Sequence, residues 1–366
     1  MDAAADSVCR PRGRRSLLAF VTGWALLAAG AAAQAAPPRT CTEASTISER
    51  SPPVINVRID NDLFARQDQG YSSGILVSLV SPNLKDYTED DCLPALARWI
   101  NRHLARIQPS GFDQQNMVVK VGQGIFTPTD PERRDLILDD RPYAGALLAS
   151  FGYNARKGDR LRSTQLIFGL VGPDAYAKQS QDFIHRLIGS KRFHGWDNQL
   201  RNEPVINLVH ERSRRYAEHA IGDRGLRWDV INHWGGAIGN FQTHANAGSE
   251  IRLGFRLPDD FGSSPVRPAG DNTAPNESYR VRQGWTWHAF LATDARWVLR
   301  DITLDGNTFR DSHSVDKKPF VGEAAIGMAV TYDRWKFAFA RYYRTREFDG
   351  QRSRPSFGSF TISRAF

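Results

Sequence analysis

From residue 54 to the last residue the chain is written mostly in short segments whose apolar and polar side chains alternate. A two-residue period is the mark of a β-strand with one face in each environment. Twelve such segments are predicted, over 54–61, 71–81, 114–125, 144–154, 161–172, 203–214, 225–237, 243–257, 284–298, 319–332, 335–347 and 356–366. In the first, Ile55, Val57 and Ile59 face one way and Asn56, Arg58 and Asp60 the other. Trp285, Trp287, Ala289 and Leu291 oppose Thr286 and His288, and Trp335, Phe337 and Phe339 oppose small residues. The final stretch "GSFTISRAF" alternates and ends on Phe366. Two segments break the pattern. Residues 91–107 place Leu93, Leu96, Ile100 and Leu104 at helical spacing, and 173–189 predict a second helix, with Asp174 as cap and Gly189 as stop. Residues 258–283, rich in Pro, Gly, Ser and Asn, read as a long loop.

The N-terminus changes what the alternation means. "RPRGRR" (10–15), the apolar run 16–33 and the small residues "AQAA" (33–36) form a secretory signal peptide, so the expected domains are a cleaved leader, 1–36, and one body, 37–366. The leader takes four arginines and two aspartates out of the +8 formal balance, leaving +6. Cys41 and Cys92 remain, and an oxidising compartment permits them to pair. No later stretch is apolar over the roughly 20 residues a spanning helix needs, and the mean hydropathy of −0.46 is that of a soluble chain. Alternating strands with a polar lumen give the same low value in an outer-membrane barrel. An exported chain with an even number of amphipathic strands and a C-terminal aromatic residue is therefore read as a transmembrane antiparallel β-barrel of about twelve strands, with short helices in its rim loops. The inward Arg252, Arg256 and Glu250 are candidates to plug its lumen.

Chemistry concentrates at strand ends. Asp60, Asn61 and Asp62 cluster oxygen donors of the kind Ca²⁺ takes, where the first strand meets its loop, and "GYSSG" returns Ser72 and Ser73 to the same rim. The same residues also suit a plain turn. On the second helix His185 shares a face with Gln181, and Phe183, Ile184, Leu187 and Ile188 supply apolar surface. A neutral histidine in such a setting is a good general base. It is equally a packing residue. In "LDDRPYAG" (138–145) Asp139 and Asp140 are placed to pair with Arg141, while "GWDNQLRNEP" (195–204) suits turn scaffolding.

Five motifs in order, "NDLFARQDQGYSSGI", "FTP" (126–128), "DDRPYAG", "QDFIHRLIG" and "GWDNQLRNEP", resemble the lipid A 3′-O-deacylase (LpxR-like) family of outer-membrane barrels over nearly all of the chain after the leader. The resemblance implies a twelve-stranded barrel and Ca²⁺-dependent hydrolysis of the ester that holds the 3′-linked acyloxyacyl group of lipid A. It carries functional roles onto Asn61, Asp62, Ser72, His185 and Gln181. Two positions depart. Arg133 or Arg134 stands where the family has a lysine, and Lys191 where it has a glutamate.

The expectation is a monomeric outer-membrane esterase acting on lipopolysaccharide, with no nucleic-acid partner. Its catalytic set is His185, Ser72, Asn61, Gln181 and Arg133, with Ca²⁺ on Asp62 and Asp60 and substrate contacts from Arg134 and Arg141. Two alternatives stand beside it. One is a phospholipase-type barrel that uses a strand histidine such as His288 with a serine. The other is a structural or pore-forming barrel without enzymatic activity.

Overall fold

In the computed structural model of the chain, the described residues are 53–61, 70–82, 99, 103, 111–216, 218–222, 225–263 and 284–366. The leader, Cys41, Cys92, Asp62 and most of segments 91–107 and 258–283 lie outside them, as does the side chain of Ser72. Thirteen strands make one antiparallel sheet: β1 (Val54–Asn61), β2 (Gly70–Val80), β3 (Gln114–Thr127), β4 (Ala144–Lys157), β5 (Arg160–Val171), β6 (Glu203–Arg215), β7 (His219–Ile221), β8 (Leu226–Gly239), β9 (Gln242–Phe255), β10 (Trp285–Asp301), β11 (Phe320–Tyr332), β12 (Trp335–Arg344) and β13 (Ser356–Ala365). Apart from β6 and β7, consecutive strands pair with one another; β1 pairs with β13, and β6 pairs with β8, so the sheet closes. Arg215 faces Ile231 and His219 faces Trp228. Four steps on one side thus match three on the other, and β7 is β6 continued past a bulge. The barrel has twelve staves, and all twelve predicted segments are among them.

The two faces are inverted relative to a soluble protein. Ile59, Ile75, Val77, Val119, Val121, Ile251 and Leu291 project outward, 41–51 % exposed, while Asn56, Asn116, Asn154, Glu211, Asp229, Glu250 and Arg252 point inward and are nearly inaccessible. So long an apolar wall is stable only against hydrocarbon, and closure leaves no unpaired strand edge inside the bilayer. Trp285 and Trp297 on β10 are twelve residues apart. At about 3.3 Å per residue and a tilt of about 40° they stand roughly 30 Å apart along the barrel axis, the spacing of two aromatic belts.

The lumen is filled. Arg252 is fully buried and ion-paired with Asp229 at 2.6 Å and with Asp260. The segment 257–263 turns into the barrel, burying Leu257, Asp260, Phe261 and Ser263. Higher up, Asp294 pairs with His233 and Arg296, and Arg344 links Glu323 to Glu347. Arg252 and Glu250 are lumen residues as expected. Arg256 is not: it sits at positive φ, exposed, over the Phe255 ring.

Candidate functional site

β1 starts and β13 ends at one end of the barrel, where Val54 faces Ala365. The residues singled out for chemistry gather at the other. Across the sheet, Asn61 pairs with Ser73, Ser73 with Ile125, and Ile125 with Gly145. This row has the parity of Ile59, Val119 and Val121, so it belongs to the outer wall. Between Tyr71 and Ser73 the β2–β3 register shifts, which makes Ser72 the extra residue of a bulge. Bulges re-aim side chains and recur beside functional sites.

Helix α1 (Ala177–Ile188) packs on this row from outside. Gly145 makes the approach possible, because a Cβ there would lie 2.4 Å from that of Ala177. A single 3₁₀ turn, Pro173–Ala175, leads into the helix, whose N-cap is Tyr176 in the left-handed region. Asp174, expected as the cap, exchanges hydrogen bonds with the Asn202 amide instead. Gly189 does end the helix, at φ 72°. Under α1, Ile125, Tyr143, Ala177, Phe193 and Trp196 form a buried apolar cluster.

His185 lies on the edge of that cluster, 5 % exposed, with its ring edge-on to Phe193. Its Nδ1 hydrogen-bonds the Lys191 carbonyl oxygen. A carbonyl only accepts, so Nδ1 carries a proton, and it is Nε2 that has the lone pair when the ring is neutral. Gln181 accepts the Trp196 indole N–H at 3.0 Å through Oε1, and its buried Nε2 has no partner among the described residues. Sequence reasoning missed the Lys191 carbonyl and Phe193. The Lys191 ammonium turns away to Glu132 at 2.6 Å, and that carboxylate raises its pKa.

The remaining candidates separate. Asp60 projects into the lumen and pairs with Arg58 at 3.2 Å, on the opposite side of the sheet from Asn61, so it does not share an ion with the outer wall. Arg141 is buried among Glu347, Thr303 and the Phe126 ring, which makes it a rim strut and not a substrate contact. Asp140 accepts backbone N–H groups of Thr129 and Arg141, not the expected guanidinium pairing. Arg133 and Arg134 are exposed on the loop over α1, where the Arg134 carbonyl accepts from Asn198. The 195–204 motif is scaffolding as read: Gly195 lets the Arg133 carbonyl and the Tyr143 ring come close, and Glu203 accepts from Asn307, Thr308 and Phe309. Among the described residues no three His, Cys, Asp or Glu side chains converge as a metal site. Of the residues read as oxygen donors at the end of the first strand, Asn61 lies on the outer wall, and Asp62 lies outside the described residues.

His288 does meet a serine, with Nε2 2.7 Å from Ser263 Oγ. Both are buried inside the lumen, Ser263 as part of the inward-turning 257–263 segment with its N–H held by Glu250. The pair is buried on the lumen side and not on the apolar outer wall, so the arrangement does not favour the phospholipase alternative.

A closed twelve-stave barrel with an apolar outer wall and a histidine site on that wall defines a transmembrane β-barrel of the outer membrane. The family model for the outer membrane protein LpxR matches residues 18–366, and the chain belongs to that family. Among solved structures, LpxR from Salmonella typhimurium superposes with a TM-score of 0.65 at 18 % identity, covering 86 % of this chain and 100 % of that one. The β domain of the Bordetella autotransporter BrkA gives a TM-score of 0.41 at 10 % identity, covering 87 % and 100 % of the two chains. A comparison with curated proteins found no match.

Proposed function

We propose that this chain, with 1–36 as its leader, is a lipid A deacylase that hydrolyses the 3′-linked acyl or acyloxyacyl ester. The observation that carries the reading is His185: an imidazole whose Nδ1 is held on the Lys191 carbonyl, on the outer wall, beside a row of strand-end residues. With the start of β1 and the end of β13 on the periplasmic side, that rim faces the outer leaflet. Family membership supports the reading.

In the proposed reaction Nε2 takes a proton from water as its oxygen bonds to the ester carbonyl carbon. The imidazolium returns the proton to the departing sugar 3-hydroxyl, freeing a fatty acid. Ser72 orients the water. The free Nε2–H of Gln181 and the amide of Asn61 contact the substrate, and Arg133 stabilises the oxyanion. Arg134 meets a lipid phosphate. A Ca²⁺ ion held by Asp62 and Asn61 would supply Lewis-acid polarisation of the ester carbonyl. Phe183 and Leu187, 62 % and 77 % exposed on α1, offer apolar surface for acyl chains.

The test is direct. Purified protein in detergent is given lipid A, and product masses are read without treatment, with a calcium chelator and after Ca²⁺ is restored. Loss of the 3′-acyl mass that stops on chelation and resumes on re-addition is expected. Intact lipid A under all three conditions overturns the proposal.

A further inference from the structure

A second feature of the outer wall belongs to none of this. Near the outer ends of β9, β10 and β11 a trough of about 790 Å³ opens on the face across the barrel from α1. Counting around the ring, β10 is five strands from β4 and six from β3. Its floor is small: Ala245, Ala247, Ala295 and Gly322, all on the outward parity. Trp297 and Phe320, 50 % and 70 % exposed, flank the floor at the level of the outer aromatic belt. Above them stand Lys318, Arg346 and Arg354.

The charges set this trough apart from an ordinary stretch of wall. Lys318 is paired with Asp349, but the exposed Arg346 and Arg354 have no acidic partner among the described residues. The Arg346 guanidinium meets only the Arg352 carbonyl, at 3.2 Å. By contrast, on the same rim Arg344 is compensated by Glu323 and Glu347, and Arg141 by Glu347. Guanidinium forks bind phosphate in bidentate fashion. Small residues below an aromatic belt accept an acyl chain lying along the wall.

We propose that the trough is a docking site for a phosphorylated, multiply acylated glycolipid of the outer leaflet, separate from the His185 site. The phosphate binds Arg346 and Arg354, the sugar lies against Trp297 and Phe320, and one acyl chain runs over the alanine floor. This site does not depend on hydrolysis at His185.

The test uses the full-length His185→Ala protein, so that turnover cannot alter the ligand, with a photo-crosslinking residue at position 320. The probes are bisphosphorylated lipid A, its dephosphorylated form and phosphatidylglycerol. Crosslinking to the bisphosphorylated lipid is expected, at least fivefold above either other probe. It should fall at least fivefold in Arg346→Ala/Arg354→Ala and persist in Arg346→Lys/Arg354→Lys. The heat-dependent gel shift of the closed barrel confirms that each variant is folded. Equal capture of all three probes, or capture unchanged in the alanine pair, overturns the proposal. Either result leaves the deacylase reading untouched, because that reading is scored by product mass with intact His185.

Discussion

Gly145→Ala is a test of position. The added methyl would sit 2.4 Å from the Ala177 Cβ, on the wall side of α1. Two carbons rest at about 3.5–4.0 Å, so the helix must move out by roughly 1.3 Å. The displacement is carried along the helix to His185, eight residues on and about 12 Å away at 1.5 Å per residue. A misplacement of about 1 Å at a catalytic group costs about 100-fold in rate, or about 2.7 kcal/mol in barrier. The strand pairs on both sides of Gly145 are backbone bonds and survive. The variant should therefore insert and show the barrel gel shift while its deacylation rate falls about 100-fold. Ala177→Gly removes the other half of the collision at a helix cost of about 1 kcal/mol, and the double variant should recover most of the rate. The assay is initial rate of 3′-acyl release from lipid A. A wild-type rate for Gly145→Ala, or a double variant no faster than the single one, refutes the account of how the helix is seated.

Trp196→Phe leaves the Gln181 Oε1 without its donor in a buried setting, a loss of about 1–3 kcal/mol; amide exchange in α1 should accelerate while the strands stay protected. Glu347 is buried, which by itself raises a carboxyl pKa, but Arg344 and Arg141 hold it below its ordinary 4.5. Its stabilising contribution is complete above that value and disappears as pH falls through the lower folded-state pKa. Urea midpoints followed down from pH 7 should thus fall less steeply below pH 4.5 in Glu347→Gln than in wild type, and parallel curves contradict this. If Arg133 takes the place of the family lysine, Arg133→Ala should slow deacylation at least tenfold and Arg134→Ala much less, raising KM instead. The reverse pattern would exchange their roles.

The strands were legible because each stave separates lipid from lumen, and the two-residue period records that separation directly. What escaped was set by register between distant segments. Ser72 is a bulge residue only because β3 offers Tyr71 and Ser73 adjacent partners. The extension of β6 into β7 depends likewise on β8. The role of Lys191 runs through its carbonyl, which no side-chain pattern reports. The inward placement of Asp60 was legible from the alternation alone. Its parity with Asn56 already placed it on the polar, lumen-facing side, whereas adjacency in "DND" suggested a shared ligand set. The buried Arg141 pair depends on Glu347, 206 residues away, and nothing local announces it.

The central claim is that His185 on the outer wall is the base. The most direct measurement is mass spectrometry of lipid A from cells expressing the wild-type chain or His185→Ala at matched levels of inserted barrel. Loss of the 3′-linked acyl mass with wild type, and intact lipid A with the variant, is the predicted result. The same loss in both samples, or in neither, contradicts it.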